Sequence, residues 1–166
     1  MKIRVLLFAT MFAGLSVMIG CGKNVAPAGS TITVNPTSIT WSSGIPYVTS
    51  QIYTTLSDQN GKPMNNLQVD YYAPLAVGSF PTASTGFYAF YKNNKVCNSP
   101  CVDTTNSSGM SNMNIIFCTT SDCSSVVPVQ LPYSWTTTTL LTYTDTVTVS
   151  SGGAAPVNVA IKINGQ

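Results

Sequence analysis

The residues best suited to chemistry in this 166-residue sequence are its five cysteines. Four of them form two close pairs, Cys97-x3-Cys101 and Cys118-x4-Cys123. The fifth, Cys21, stands apart near the start of the chain. Four thiolates can hold a zinc ion in a tetrahedral site, and the same thiols can form two disulfide bonds in an oxidising compartment. The choice between zinc and disulfides therefore depends on where the protein resides.

Catalytic chemistry is limited by what the sequence lacks, since it contains no histidine and no glutamate. These residues supply most general acids and bases, and a serine or cysteine nucleophile needs such a base. A copper site of the cupredoxin kind beside Met110 and Met113 would also require histidine. All five acidic residues are aspartates dispersed along the chain: Asp58, Asp70, Asp103, Asp122 and Asp145. The composition predicts a protein that is not an enzyme and has no cofactor or bound metal.

The N-terminal segment predicts export. Lys2 and Arg4 precede an uncharged, largely apolar run over residues 5–22. This pattern is typical of a secretory signal, and a retained membrane helix is the alternative. The tetrapeptide Met18-Ile19-Gly20-Cys21 resembles the lipobox of bacterial lipoproteins.

The lipobox resemblance implies that residues 1–20 are a signal peptide and that Cys21 is acylated and becomes the N-terminus. Several acyl chains on one residue anchor a protein to a membrane without a spanning helix. Gly22 follows the cysteine, where lipoproteins kept at the inner membrane of Gram-negative bacteria tend to have aspartate. The expected location is the bacterial cell envelope, at the outer membrane.

Export also decides two other questions. In an oxidising compartment, two disulfides are favoured over zinc. If residues 87–96 and 112–118 form a hairpin, Cys118 lies opposite about residue 90, roughly 20 Å along the strand from Cys97. Local pairs, Cys97 with Cys101 and Cys118 with Cys123, are then favoured. Removing residues 1–20 leaves five lysines, five aspartates and no arginine, so no basic patch for nucleic acid is expected.

Period-2 alternation of apolar and polar residues dominates the rest of the chain and predicts seven to eight β-strands. Threonine, valine, isoleucine and tyrosine are abundant in these segments and suit a pleated, half-buried surface. Residues 21–30 are predicted to be a flexible tether, and residues 31–164 to form one all-β domain. Because both sheet faces need cover, a two-layer antiparallel sandwich is expected.

Two segments carry a family resemblance. Residues 56–69 contain an Asp-x-Asn-Gly-x-Pro turn between two strands, and residues 104–115 contain a second Gly turn that enters a strand. Their order and spacing resemble bacterial Ig-like domains of the Big-1 type found in invasin and intimin. The resemblance implies an Ig-like β-sandwich with a structural or adhesive role. Residues 73–112 and 118–139 depart from the family pattern as cysteine-bearing insertions.

Two aspartates allow competing interpretations. Asp58 and Asn60 could be part of a calcium loop, but a third carboxylate is missing and a turn with Asx hydrogen bonds is favoured. Asp145 falls on the apolar parity of its strand, where a buried carboxylate could assist a lysine–asparagine crosslink like those of some pilus domains. A bulge or strand edge that turns Asp145 outward is favoured over that role.

Aromatic residues cluster in and near the insertions. On parity arguments, one set of them is expected to be exposed and to form a binding surface. The predicted surface comprises Tyr72, Tyr88, Phe90, Tyr91 and Trp135. The leading prediction is a non-catalytic lipoprotein that presents loops away from the membrane. The alternative is a module that binds a polysaccharide or another protein of the envelope.

Overall fold

The computed structural model describes residues 24–42, 47–74, 76, 88–93, 95–118 and 143–164. Within these residues the chain forms ten strands and no helix. The strands are β1 (Thr31–Asn35), β2 (Ser38–Ser42), β3 (Tyr47–Ser57), β4 (Gln68–Tyr72), β5 (Tyr88–Lys92), β6 (Lys95–Cys97), β7 (Cys101–Thr104), β8 (Met110–Cys118), β9 (Tyr143–Ser150) and β10 (Val157–Asn164). The described residues include no helix long and apolar enough to cross a membrane. The predicted signal peptide 1–20 and residues Cys21, Cys123 and Trp135 lie outside the described residues.

The strands form two five-stranded sheets, which confirms the predicted sandwich. Sheet A has the order β1-β3-β8-β5-β6, and sheet B has the order β2-β10-β9-β4-β7. The chain passes from sheet A to sheet B at Pro36, which lacks the N–H that a continued ladder would need. As a result β1 pairs antiparallel with β3, whereas β2 pairs parallel with β10. This parallel pair departs from the purely antiparallel arrangement predicted from the sequence.

Aromatic side chains from both sheets fill the core. Trp41 of sheet B stacks on Phe117 of sheet A, with ring centroids 4.6 Å apart and planes 17° apart. Tyr88 lies 5.6 Å from Trp41, and Phe90 lies 6.5 Å from Tyr71. Large offset rings that interlock across the layers bury much apolar surface and fix how one sheet sits on the other.

Residues 24–30 are bound to one end of the sandwich, so the flexible tether predicted over 21–30 is wrong from Asn24 onward. Gln68 N–H donates to the Asn24 carbonyl at 2.6 Å. The Ala26 amide donates to Ser151 Oγ at 3.1 Å, and the Ala26 carbonyl accepts from Gly153 N–H at 2.8 Å. The Ala26 side chain is buried. Backbone groups make most of these bonds. Because every residue type carries such groups, the polar composition of this segment did not show that it would be ordered.

Two turns of the same design lie at this end. Asp58 Oδ1 accepts from the amides of Asn60 (2.8 Å) and Lys62 (2.9 Å). Asn106 Oδ1 accepts in the same way from Ser108 (2.9 Å) and Met110 (3.0 Å). Each is an Asx turn with a glycine of positive φ at its fourth position. These hydrogen bonds confirm the Asx turn predicted at Asp58.

The ends of the strands define two poles. The N-terminal pole comprises residues 24–30 and the turns at 58–63, 106–109 and 151–154. The opposite pole comprises the strand ends at Ser42, Cys118 and Asn164, which follow from the register of β2 with β10 and of β3 with β8. Part of the predicted insertion 73–112 is not an excursion, because it supplies β5, β6 and β7.

Candidate functional site

A disulfide closes the corner at which the chain passes from β6 to β7. Cys97 ends β6 and Cys101 begins β7, and their sulfur atoms are bonded with Cα atoms 5.4 Å apart. β6 is an edge of sheet A and β7 an edge of sheet B, so the bond staples the two layers. The predicted Cys97–Cys101 pair is confirmed, and these two thiols are not free to bind zinc. The predicted bond between Cys118 and Cys123 involves a residue outside the described part.

The hairpin register expected between residues 87–96 and 112–118 is wrong by three residues. Phe90 lies opposite Ile115, not opposite Cys118. The corner is held further by Ser99, whose Oγ accepts from the Ala73 amide at 3.0 Å and donates to its carbonyl at 3.2 Å. Side-chain and covalent bonds thus fix the same three-residue connection.

Removing this disulfide should destabilise the sandwich moderately. For a loop of this length, the chain-entropy model gives about 2 kcal/mol for Cys97→Ala combined with Cys101→Ala. The melting temperature under non-reducing conditions should fall by roughly 4–8 °C for a domain of this size. Val102→Ala is a suitable control, because Val102 is next to Cys101 but 39% exposed. Equal melting temperatures for the double variant and the wild type would contradict a stabilising corner.

A chain of polar contacts runs inward from beside this corner. Lys92 Nζ lies 2.5 Å from Asp103 Oδ1, and Ser111 Oγ donates to Asp103 Oδ2 at 2.8 Å. Ser111 Oγ lies 2.9 Å from the Tyr71 hydroxyl, which donates to Thr54 Oγ1 at 2.8 Å. Tyr71 and Asp103 belong to sheet B, whereas the other three residues belong to sheet A. The contacts therefore connect the layers through polar groups as well as through the core.

The electrostatics of this polar chain keep Asp103 ionised and Tyr71 neutral near neutral pH. Burial raises the pKa of Asp103, but hydrogen bonds from Lys92 and Ser111 lower it and bring it below its ordinary value of 3.8. Burial raises the pKa of Tyr71 to about 12, against a smaller lowering by Ser111 and Thr54. The Asp103 carboxylate beside the Lys92 ammonium group and the neutral Tyr71 phenol therefore connect the two sheets without a change of charge near neutral pH.

Asp103 should make stability depend on pH in acid. Because its folded pKa lies below the unfolded value of 3.8, its contribution is present above that pH and is lost as the pH falls through the folded pKa. The difference in melting temperature between the wild type and Asp103→Asn should be greatest near neutral pH and shrink as the pH falls below 3.8. Lys92→Met, which removes the cation, should converge with the wild type likewise. A constant difference down to pH 2 would contradict the assignment, and thermal melts across this range are the measurement.

The predicted aromatic surface is wrong for two of its members. Tyr88 and Phe90 are fully buried. β5 lies inside sheet A between β8 and β6, and these two residues point across the sandwich towards Trp41 and Tyr71. A strand with aromatic residues on both parities does not reveal which parity faces the core.

The other members of that surface differ in position. Tyr91 is half-buried on the outer face of sheet A, where it packs with Val96 against Ile116. Tyr72 is 47% exposed on the outer face of sheet B, and Trp135 lies outside the described residues. The sequence reasoning missed Tyr53 and Met110, which are exposed on the outer face of sheet A. Tyr53 alternates with the apolar residues of β3, and Met110 begins β8. These positions in the sequence pattern could have identified both residues as outward-facing.

Asp145 is turned inward, so the predicted bulge or strand edge is wrong. β9 pairs regularly with β10, and Asp145 lies opposite Ile161 in that register. Its Oδ2 accepts from the Tyr88 hydroxyl at 2.6 Å, and its Oδ1 accepts from the Thr146 amide at 2.7 Å. Burial and the neighbouring carboxylate raise the pKa of Tyr88, which therefore stays a donor. Lys162 of β10 is exposed on the outward parity, away from this carboxylate.

Within the described part of the chain, no group of three or more His, Cys, Asp or Glu side chains is placed to hold a metal ion. The sites that the structure does define are an inter-sheet staple, a polar link and an ordered N-terminal pole. All three restrict how the sheets and the N-terminus move relative to one another.

No protein-family model matches this chain, and no curated protein matches it. Solved structures with a similar fold include domains 4 and 5 of the S-layer protein SbsC, at 14% identity and a TM-score of 0.43, covering 81% of this chain and 51% of that one. The periplasmic chaperone SfaE matches at 11% identity and a TM-score of 0.45, covering 81% and 57%. The ASH/PapD-like domain of human CEP192 matches at 9% identity and a TM-score of 0.42, covering 99% of this chain and 95% of that one.

This chain spans about half the length of the SbsC and SfaE chains that it matches. The likeness concerns the fold alone. The strand order of the two packed sheets is that of an Ig-like β-sandwich, as the sequence predicted.

Proposed function

We propose that this protein is a lipoprotein of the bacterial cell envelope, anchored through acyl chains on Cys21, whose Ig-like sandwich is a non-catalytic structural or adhesive module. The observation that carries the proposal is the Met18-Ile19-Gly20-Cys21 motif, which ends three residues before the first residue bound to the sandwich. In a Gram-negative host, Gly22 favours the outer membrane. The Asx turns at 58–63 and 106–109 are the support for membership among Big-1 type domains.

A structural role is supported by how the described residues are held together. The disulfide, the Lys92–Asp103 ion pair and the Trp41–Phe117 stack each join one sheet to the other. The sequence provides neither histidine nor glutamate for acid–base chemistry. A module of this kind works by keeping its shape while it presents its surface to envelope partners.

The test is the intact mass of the protein purified from its native envelope. We expect a chain that begins at Cys21, carries acyl groups and lacks four hydrogens, as two disulfides require. Cys21→Ala should abolish acylation, so the mass of this variant should show no acyl groups. An unacylated N-terminus on the membrane-associated wild type would overturn the anchor.

A second candidate function is the binding of a polysaccharide or another envelope protein. The observation that favours it is Tyr72, which is 47% exposed beside Val102, itself 39% exposed on the neighbouring strand. Both lie on the outer face of sheet B, near the disulfide corner. Tyr72→Ala should abolish binding in a glycan array or an envelope pull-down, whereas Tyr53→Ala on the other sheet should not. Binding that survives Tyr72→Ala would contradict this candidate.

A further inference from the structure

We infer that the N-terminal pole of the sandwich lies against the phospholipid headgroups of the leaflet that holds Cys21, with the opposite pole directed away from the bilayer. This inference rests on the proposed acylation of Cys21. It adds an orientation and a contact surface, which an anchor alone does not define.

The chain between the proposed anchor at Cys21 and the fold at Asn24 is short. Cys21 and Asn24 are separated by three peptide links. Consecutive Cα atoms are 3.80 Å apart, so the two Cα atoms can be separated by at most about 11 Å. A free tether over residues 21–30, as the sequence suggested, would have reached roughly 30–35 Å.

Asn24 is bound to the sandwich by two hydrogen bonds. Its carbonyl accepts from Gln68 N–H at 2.6 Å, and its side-chain amide donates to the Asn66 carbonyl. Two residues later, both backbone polar groups of Ala26 are bonded to the turn after β9. Lengthening the tether would require breaking these bonds and exposing the buried Ala26 side chain.

The sandwich is longer than the reach of the chain between Cys21 and Asn24. β10 runs from the N-terminal pole to the opposite pole over eight residues, which span about 26 Å. A tether of at most about 11 Å cannot bring the opposite pole to the lipid with the N-terminal pole directed away from it, because Asn24 would then lie about 26 Å from the surface. The N-terminal pole is therefore the end that meets the headgroups.

The surface chemistry of this pole fits a neutral or zwitterionic lipid surface. Its exposed residues are mostly amides, hydroxyls and glycines: Asn24, Gly29, Gln59, Asn60, Gly61, Asn106, Ser107, Ser108, Gly152 and Gly153. Asp58 and Lys62 are its charged side chains within the described residues, and their charges cancel. Amides and hydroxyls can hydrogen-bond to phosphate and glycerol oxygens without the desolvation cost of an unpaired charge.

Site-specific photocrosslinking tests the orientation. The full acylated protein, carrying p-benzoylphenylalanine at Ser107 or at Ser42, is reconstituted into phosphatidylcholine–phosphatidylethanolamine vesicles with a fluorescent phospholipid. Both positions are exposed, Ser107 at the N-terminal pole and Ser42 at the opposite one. Because the poles are about 26 Å apart, we expect at least about fivefold more lipid adduct from Ser107.

A length variant makes the test specific to the short tether. Inserting about 30 Gly/Ser residues between Lys23 and Asn24, which span roughly 30 Å on average, should lower the Ser107:Ser42 adduct ratio severalfold. Equal adducts without the insertion, in protein whose mass shows acylated Cys21, would overturn the orientation and leave the proposed function standing. An unacylated N-terminus would overturn both.

Discussion

Replacing Gly109 with alanine should lower the free energy of unfolding by roughly 2–5 kcal/mol, from left-handed backbone strain together with overpacking. Gly109 has φ of +69°, and an added Cβ would lie 2.6 Å from the Leu56 carbonyl oxygen and 3.0 Å from Pro63 Cβ. The crowded atoms belong to the backbone and to a proline ring, so they cannot move aside cheaply. The reason for the crowding is that the turn at 106–109 packs directly on the turn at 58–63.

Gly61→Ala is the matched control for Gly109→Ala. Gly61 occupies the same position of the other Asx turn, with φ of +78°, but nothing lies within 4 Å of an added Cβ. Its substitution should cost about 1–2 kcal/mol, from backbone strain alone. Urea denaturation of both variants measures the difference. Equal losses for the two glycines would show that the contact between the turns does not contribute to stability.

Trp41→Ala should be as damaging, with an expected loss of about 3–5 kcal/mol. The indole is almost fully buried, stacks on Phe117 and packs against Tyr88, and its Nε1–H donates to Ser50 Oγ at 3.2 Å. Its removal would leave a cavity between β2 and sheet A and would unpair the Ser50 hydroxyl. Because β2 is an edge strand, loss of this contact should also loosen its pairing with β10.

Two variants separate the causes of that loss. Trp41→Phe keeps a ring on Phe117 but loses the hydrogen bond, so it should cost clearly less than Trp41→Ala. Tyr53→Ala removes a ring that is 44% exposed and should cost well under half as much. Thermal and denaturant melts give all three values. A loss for Trp41→Ala no greater than that for Tyr53→Ala would contradict the central place of the indole in the core.

Much of the fold follows from features that a sequence carries locally. Alternation placed the long strands, and the side chains of Asp58 and Asn106 specify their turns within four residues. β6 and β7 were not predicted, because they are three and four residues long and the disulfide and their neighbours hold them in place. A period of two is not visible in so short a segment.

The site was harder to predict because it depends on which strands become neighbours. Tyr88 and Phe90 are buried since β5 lies inside sheet A, a fact that no local pattern contains. Asp145 is tolerated on the inward parity because Tyr88, 57 positions away, supplies a hydroxyl. Residues 24–30 are ordered through hydrogen bonds to residues 66–68 and to the turn at 151–154. Each error came from a partner that is remote in sequence.

The consecutive strands β1 and β2 belong to different sheets, and this has a mechanical consequence. β2 lies parallel to β10 over five residue pairs, and the two termini of the described chain lie at opposite poles. A pull applied between Asn24 and Asn164 would slide β2 along β10 and β1 along β3, so the bonds of each ladder would carry the load together. Bonds loaded in shear must fail collectively, whereas a peeled hairpin opens one pair at a time. Ladders loaded in this way resist extension along the axis that joins the two poles.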